Sequence, residues 1–254
     1  MMRYLACLLL AVVAVWAEDA PTAKPTLYLI GDSTVNNGTK GQMGWGAALP
    51  PWVDADHATL VNRARGGRSS RTFYTEGLWA DVAKLLKPGD FVLMQFGHND
   101  GGGLNDPRGR ASIKGNGDET AEVTDPATGA KVTVHSYGWY LRTYCQEAQA
   151  KGAVPVVLSP VPRNIWKDGK VGRSTDYGKW AKEAAEAVKA AFVDLNTLIA
   201  DRYDALGQEA VAKLFGETDH THTLPDGAKL NAECVATGLK ALPGEPFRDL
   251  LKTP

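Results

Sequence analysis

Charge of one sign is what this sequence lacks: 28 Lys and Arg stand against 29 Asp and Glu, a formal net charge of −1 over 254 residues. A chain so balanced has no overall field with which to attract nucleic acid or an anionic membrane surface. Cysteine is scarce, three in all, which excludes a disulfide-dense scaffold. No apolar run reaches the roughly 20 residues that a bilayer core needs, and no internal repeat is found. What is present is an apolar fraction of 44%, too high for a disordered chain. The length suits one large domain or two small ones, with a core that needs no disulfide or metal staple. Glycine, 27 residues, is in modest excess over its usual share of roughly 7%. The excess is aperiodic, so it marks particular backbone positions rather than a fibre.

The N-terminus reads as an address. Arg3 precedes an uninterrupted apolar run at 5–15, and Val15-Trp16-Ala17 carries the small residues of a cleavage site. Residues 1–17 are therefore expected to be a secretory signal peptide cut after Ala17, placing the mature protein in the periplasm or outside the cell. A membrane anchor would need a longer run. Acylation of Cys7 fits less well, since only six residues precede it and Tyr4 stands where Leu is expected. Past the signal, Cys145 and Cys234 each fall in a helical stretch, and spacing leaves open whether they pair or remain two buried thiols.

Short apolar, β-prone runs alternate with helical patterns. Strands are expected at 26–30, 59–62, 91–96, 154–159 and 191–195, and helices at 78–86, 136–151, 176–190, 208–215 and 225–242. The strand segments are apolar without alternation, as strands covered on both faces are. This order predicts an α/β fold built on a mainly parallel sheet with right-handed crossovers. Residues 101–135 break the rhythm with Gly, Asp, Asn and Lys. They read as a surface insertion ending in a small hairpin of 122–124 with 131–134. The expected organisation is the signal followed by one domain, 18–254, carrying that insertion.

Parallel sheets bind ligands at the carboxyl ends of their strands, and three motifs fall there: Gly31-Asp32-Ser33-Thr34-Val35, Asn62-Arg63-Ala64-Arg65-Gly66-Gly67-Arg68-Ser69 and Gly97-His98-Asn99-Asp100. A fourth, Asp219-His220-Thr221-His222, precedes the last helix. Singly each is weak. Together they hold the parts of an acyl-transfer site. Ser33 needs an imidazole to take its proton, and the imidazole needs a carboxylate; the Asp-x-x-His spacing offers Asp219 and His222. The backbone N–H groups of Ser33 and Gly67 and the Asn99 amide could stabilise an oxyanion. His220, next to the Asp, points elsewhere. Asp32 is expected to hold its turn by side-chain-to-backbone bonds rather than to react.

With these four blocks in order, the chain resembles the SGNH family of GDSL-like hydrolases. The resemblance implies Ser33 as nucleophile, Gly67 and Asn99 as further oxyanion donors, Asp219 as acid and His222 as base. It also implies a flavodoxin-like three-layer α/β/α sandwich with a central five-stranded parallel sheet. Thr34 departs from the Leu of the family's name. The combination of GDSTV, the Gly67-Arg68-Ser69 block, GHND and DHTHTLPDGAKLNA at 219–232 is most similar to the rhamnogalacturonan acetylesterase branch, carbohydrate esterase family twelve. That branch implies a secreted enzyme acting without metal or organic cofactor on acetylated pectic poly- or oligosaccharide. The expected protein is a monomer with no nucleic-acid partner and, after signal cleavage, no membrane partner. Other activities on the same framework are xylan or general acetylesterase, lipase and thioesterase, and a non-catalytic carbohydrate-binding protein is the rival from another class.

Pectin carries galacturonate carboxylates, and Arg suits bidentate carboxylate recognition. Arg68 and Arg71, with Arg65 beside them, are therefore candidate substrate contacts. His98 either touches substrate or orients its loop. Trp166, in the loop after the fourth expected strand, is the best placed aromatic for stacking on a sugar. His98, Asp100, His220 and His222 lack the His-x-x-x-His spacing of a helical metal site and have no Cys nearby, so no metal is expected.

Overall fold

Each central strand forms because its residues have two apolar faces to bury. The computed structural model describes residues 24–126 and 128–252; the expected signal segment lies outside them. In chain order the strands are β1 (Thr26–Gly31), β2 (Thr59–Asn62), β3 (Phe91–Gln95), β4 (Thr120–Thr124), β5 (Lys131–His135), β6 (Val154–Leu158), β7 (Trp166–Lys167), β8 (Lys170–Val171) and β9 (Ala191–Val193). The helices are α1 (Trp45–Ala48), α2 (Ser70–Thr75), α3 (Leu78–Ala83), α4 (Tyr137–Ala150), α5 (Tyr177–Ala187), α6 (Leu195–Leu206), α7 (Gln208–Ala212) and α8 (Pro225–Lys240). Five strands make one parallel sheet in the order β2-β1-β3-β6-β9. Taking those five by sequence, the order is 2-1-3-4-5, the doubly wound arrangement whose switch point lies between the first and third strands. Here that point is the gap between β1 and β3.

Alternate side chains leave the sheet in opposite directions. Leu27, Leu29, Leu93, Val156 and Val193 enter one core with Trp45, Ile199, Tyr203, Val235 and Leu239. Tyr28, Ile30, Val92, Met94 and Val157 enter the other with Phe73, Trp79, Tyr140, Tyr144 and Ala181. Helices thus cover both faces, giving the α/β/α sandwich. Cys145 belongs to one core and Cys234 to the other; both are free and buried. The sheet between them excludes a disulfide, and burial pushes their thiols up to about 12 and about 11.

The expected strands all form, with C-terminal ends shifted by one or two residues where they shift at all. The last differs for a physical reason. Apolar Leu195 prolongs the strand pattern, but the Asp194 side chain accepts from the Thr197 N–H at 3.1 Å and starts α6 there. Ser69 and Thr72 form a reciprocal capping box at the start of α2, another helix absent from the expected set. The stretch after β3 runs irregularly to the antiparallel pair β4–β5, in which Val123 faces Val132.

Candidate active site

The sharp turn after β1 presents Ser33. Gly31 has no room for a side chain, since an added Cβ would lie 2.5 Å from both the Gln95 carbonyl oxygen and Val35 Cγ2. The buried Asp32 carboxylate accepts from the Thr34 N–H at 2.8 Å and the Thr34 hydroxyl at 2.7 Å. It therefore braces the turn rather than facing the cleft. Thr34 in turn accepts from Gln95 Nε2 at 2.8 Å, while Gln95 Oε1 accepts from Trp45 Nε1 at 2.8 Å. A Leu at position 34 would keep the backbone N–H bond to Asp32 but lose both hydroxyl bonds, to Asp32 and from Gln95, so the departure from the GDSL spelling here anchors the turn to the sheet.

Residues 216–224, between α7 and α8, bring the second component. Pro225 starts α8, Leu224 donates to the Leu214 carbonyl at 2.8 Å, and the segment is tied to the β1–α1 loop by Met43 N–H to Thr223 O at 2.9 Å. This loop places His222 Nε2 2.8 Å from Ser33 Oγ and His222 Nδ1 2.7 Å from Asp219 Oδ2. Burial disfavours the Asp219 charge. It is outweighed by hydrogen bonds from the His222 N–H, the His222 ring and the Thr221 N–H, so the carboxyl is held well below the ordinary carboxylate value. An ionised carboxylate can only accept. The ring proton in the neutral imidazole therefore sits on Nδ1, leaving the Nε2 lone pair facing the Ser33 hydroxyl. Gln42, which the sequence did not single out, donates from Nε2 to Asp219 Oδ2 at 2.9 Å and accepts from Asn37 Nδ2 at 2.9 Å.

The other motifs supply donors. Gly67 has φ +78°, a left-handed conformation that favours glycine. Three successive carbonyls around it are engaged by side chains: Gly66 O by Arg68 Nη1 at 3.2 Å, Gly67 O by Arg110 Nη1 at 3.1 Å, and Arg68 O by Asn99 Nδ2 at 3.0 Å. Among the described residues the backbone N–H groups of Ser33 and Gly67 have no partner in the protein. Behind them lies Asp100, buried and holding the start of α2 by accepting from the Ser70 N–H at 3.0 Å, the Ser70 hydroxyl and, at 3.1 Å, the Ser112 hydroxyl. Burial pushes the Asp100 carboxyl up to about 7 with help from the Asp32 charge, against the hydrogen bonds from Ser70 and Ser112.

Ser33, Gly67, Asn99 and His222 share an open cleft of about 710 Å³ with Arg65, Arg68, Arg110 and the 36–39 loop. Of the expected substrate contacts, Arg68 lines it, paired to Glu76 at 2.9 Å, and Arg65 lines it at the exposed end. Arg71 does not. It is buried beneath the segment after β3 and donates to the Ala111 carbonyl at 3.0 Å, a structural tie. Trp166 is also misplaced by the sequence reading. Its ring packs on the apolar core, its Nε1 donates to Asn164 Oδ1 at 2.7 Å, and it lines neither this cleft nor its neighbour. His98 faces the neighbouring cavity, about 390 Å³ between the ends of β3 and β6 and the start of α5, which Tyr177 and Arg163 also line. Arg110 entered the cleft unforeseen, because its irregular segment carries no periodicity that would point it anywhere.

Residues 29–230 match the GDSL-like lipase/acylhydrolase family. The chain belongs to this family. The esterase is 34% identical over 209 residues to the rhamnogalacturonan acetylesterase of Emericella nidulans, covering 82% of each chain. It is 32% identical over 223 residues to a probable rhamnogalacturonan acetylesterase of Bacillus subtilis, covering 85% of this chain and 93% of that one. Among solved structures, Bacillus subtilis YxiM superposes with a TM-score of 0.68 at 25% identity, over 88% of this chain and 58% of the other.

Proposed function

We propose that the esterase is an exported enzyme that removes acetyl groups from the sugars of pectic rhamnogalacturonan, through a Ser33–His222–Asp219 triad and an acetyl-enzyme. The observation that carries this reading is the unbroken hydrogen-bond chain from Ser33 Oγ through the His222 ring to Asp219, inside a cleft lined by three guanidinium groups. The names of the relatives support the substrate class, as does the lining of the cleft, which among the described residues holds three Arg and, with Asp219 behind His222, no Asp or Glu.

In this mechanism Ser33 Oγ attacks the acetyl carbonyl carbon while its proton passes to His222 Nε2. The resulting imidazolium is stabilised by Asp219, and the carbonyl oxygen, now an oxyanion, takes bonds from the Ser33 and Gly67 N–H groups and the Asn99 amide. The tetrahedral intermediate collapses as His222 returns the proton to the departing sugar oxygen. Water then attacks the acetyl-serine, giving its proton to His222, and acetate leaves as Ser33 regains its hydrogen.

The test compares acetate release from acetylated rhamnogalacturonan, acetylated xylan and a long-chain ester. The reading expects the first to be hydrolysed with the highest kcat/KM. Preference for xylan or for the long chain would assign the enzyme to another esterase activity.

A further inference from the structure

Arg110 carries a charge that no ion pair neutralises among the described residues. Arg68 is paired to Glu76, and the neighbouring Arg108 to Asp106. Arg110 has no carboxylate within ion-pair distance among the described residues, and its assigned bond is the neutral one to the Gly67 carbonyl. The group is half-buried. Burial, then the like charges of Arg108 and Arg68, act against its cationic form, while Asp106 and the buried Asp100 favour it. A guanidinium carries five N–H donors in a planar fork, and one bond to Gly67 leaves most of them unused. A half-buried cation with spare donors, facing a cleft whose lining holds no acid among the described residues, is stabilised when an anion enters.

We infer that Arg110 is the centre of a carboxylate-binding subsite. Its guanidinium holds the Gly67 loop by one N–H and binds a uronate carboxylate of the polymer by the others, with Arg65 and Arg68 adding charge along the cleft. The inference rests on the pectic reading above and makes it more specific, because the group recognised is the sugar acid rather than the acetyl ester. It also links two functions in one side chain. The residue that selects an acidic substrate is a positioning residue for the loop that bears the Gly67 N–H.

The experiment measures inhibition of 4-nitrophenyl acetate hydrolysis by tri-galacturonate and by the same trimer methyl-esterified at its carboxyl groups. The full enzyme and its Arg110→Gln and Arg110→Lys variants are compared. The unmodified enzyme is expected to bind the acid trimer at least about tenfold more tightly than the methyl ester, the scale of one lost charge-assisted contact. Arg110→Gln should abolish that ratio, raising the inhibition constant of the acid trimer and leaving that of the ester in place. Arg110→Lys, which keeps charge without the fork, should restore part of it and also serves should the Gln variant fold poorly. An acid-to-ester ratio near one in the unmodified enzyme, or a ratio unchanged in both variants, overturns the subsite. A purely structural Arg110 would instead lower kcat while leaving the ratio intact. Because the inhibitors carry no acetyl group, failure of the pectic reading shows separately, as no acetate released from acetylated rhamnogalacturonan.

Discussion

Gln42 Nε2 donates to Asp219 Oδ2 at 2.9 Å, the same oxygen that lies 2.7 Å from His222 Nδ1. The two residues are 177 positions apart, and their contact joins the loop after β1 to the one before α8. Gln42 fixes the carboxylate plane against which the imidazole is oriented. Replacing it by Ala removes one hydrogen bond to a charged group, a loss of about 1.5 kcal/mol or more. The expected result is roughly a tenfold fall in kcat on a small acetyl ester, with KM little changed. Steady-state kinetics check this, and an unchanged kcat would remove Gln42 from the site.

Asn99→Ala should reduce kcat by about 10²–10³ without unfolding the protein, as loss of one oxyanion donor does. Gly67→Ala is a different experiment. Among the described residues an added Cβ there would meet only Arg110 Nη1, at 3.8 Å, so the strain comes from φ +78° rather than from a clash. That conformation costs an L-residue roughly 1–2 kcal/mol. The variant is therefore expected to fold, with a lowered denaturation midpoint and reduced kcat, both measurable on one preparation.

Asp100 gives stability a pH dependence. Burial raises its carboxyl from an ordinary 3.8 to about 7 in the folded chain. Between those values the native state binds the proton and the unfolded state does not. Stability contributed by this group therefore falls as pH rises through that window, by up to about 1.4 kcal/mol per unit, and is level above it. In Asp100→Asn the amide oxygen can still accept from Ser70 and Ser112, and the slope should disappear. Urea unfolding at pH 5 and pH 7.5 tests this: a difference between the two proteins that stays constant with pH would contradict it.

Cys145 and Cys234 should resist thiol reagents in the native state. Both are buried, and burial raises both thiols far above neutral pH, so little thiolate exists to react. Reaction with a chromogenic disulfide should be negligible until denaturant is added, after which both titrate without a reductant. Rapid reaction in the folded protein would contradict their placement in the two cores.

The framework was legible because β1, β3 and β6 bury both faces and so spell short continuous apolar runs separated by helical patterns. The positions of Ser33, Asn99 and His222 were legible because strand ends and a short Asp-x-x-His turn are local features. Gln42, Arg110 and Asp100 were not. Each acts through a partner far away in sequence, on loops whose composition carries no period. Arg71 shows the opposite failure: it neighbours the cleft residues in sequence, yet α2 turns it inward to the Ala111 carbonyl. The start of α6 was hidden because Asp194 directly follows the last residue of β9 and caps the helix without an intervening loop.

The central claim is that Ser33 is the nucleophile, activated by His222. Its most direct test is to incubate the enzyme with a fluorophosphonate ester and locate the adduct by peptide mass spectrometry. The account predicts a single covalent adduct on Ser33, with stoichiometric loss of esterase activity, and labelling slowed at least about a hundredfold in His222→Ala. An adduct on another residue, or full esterase activity in Ser33→Ala, would contradict it.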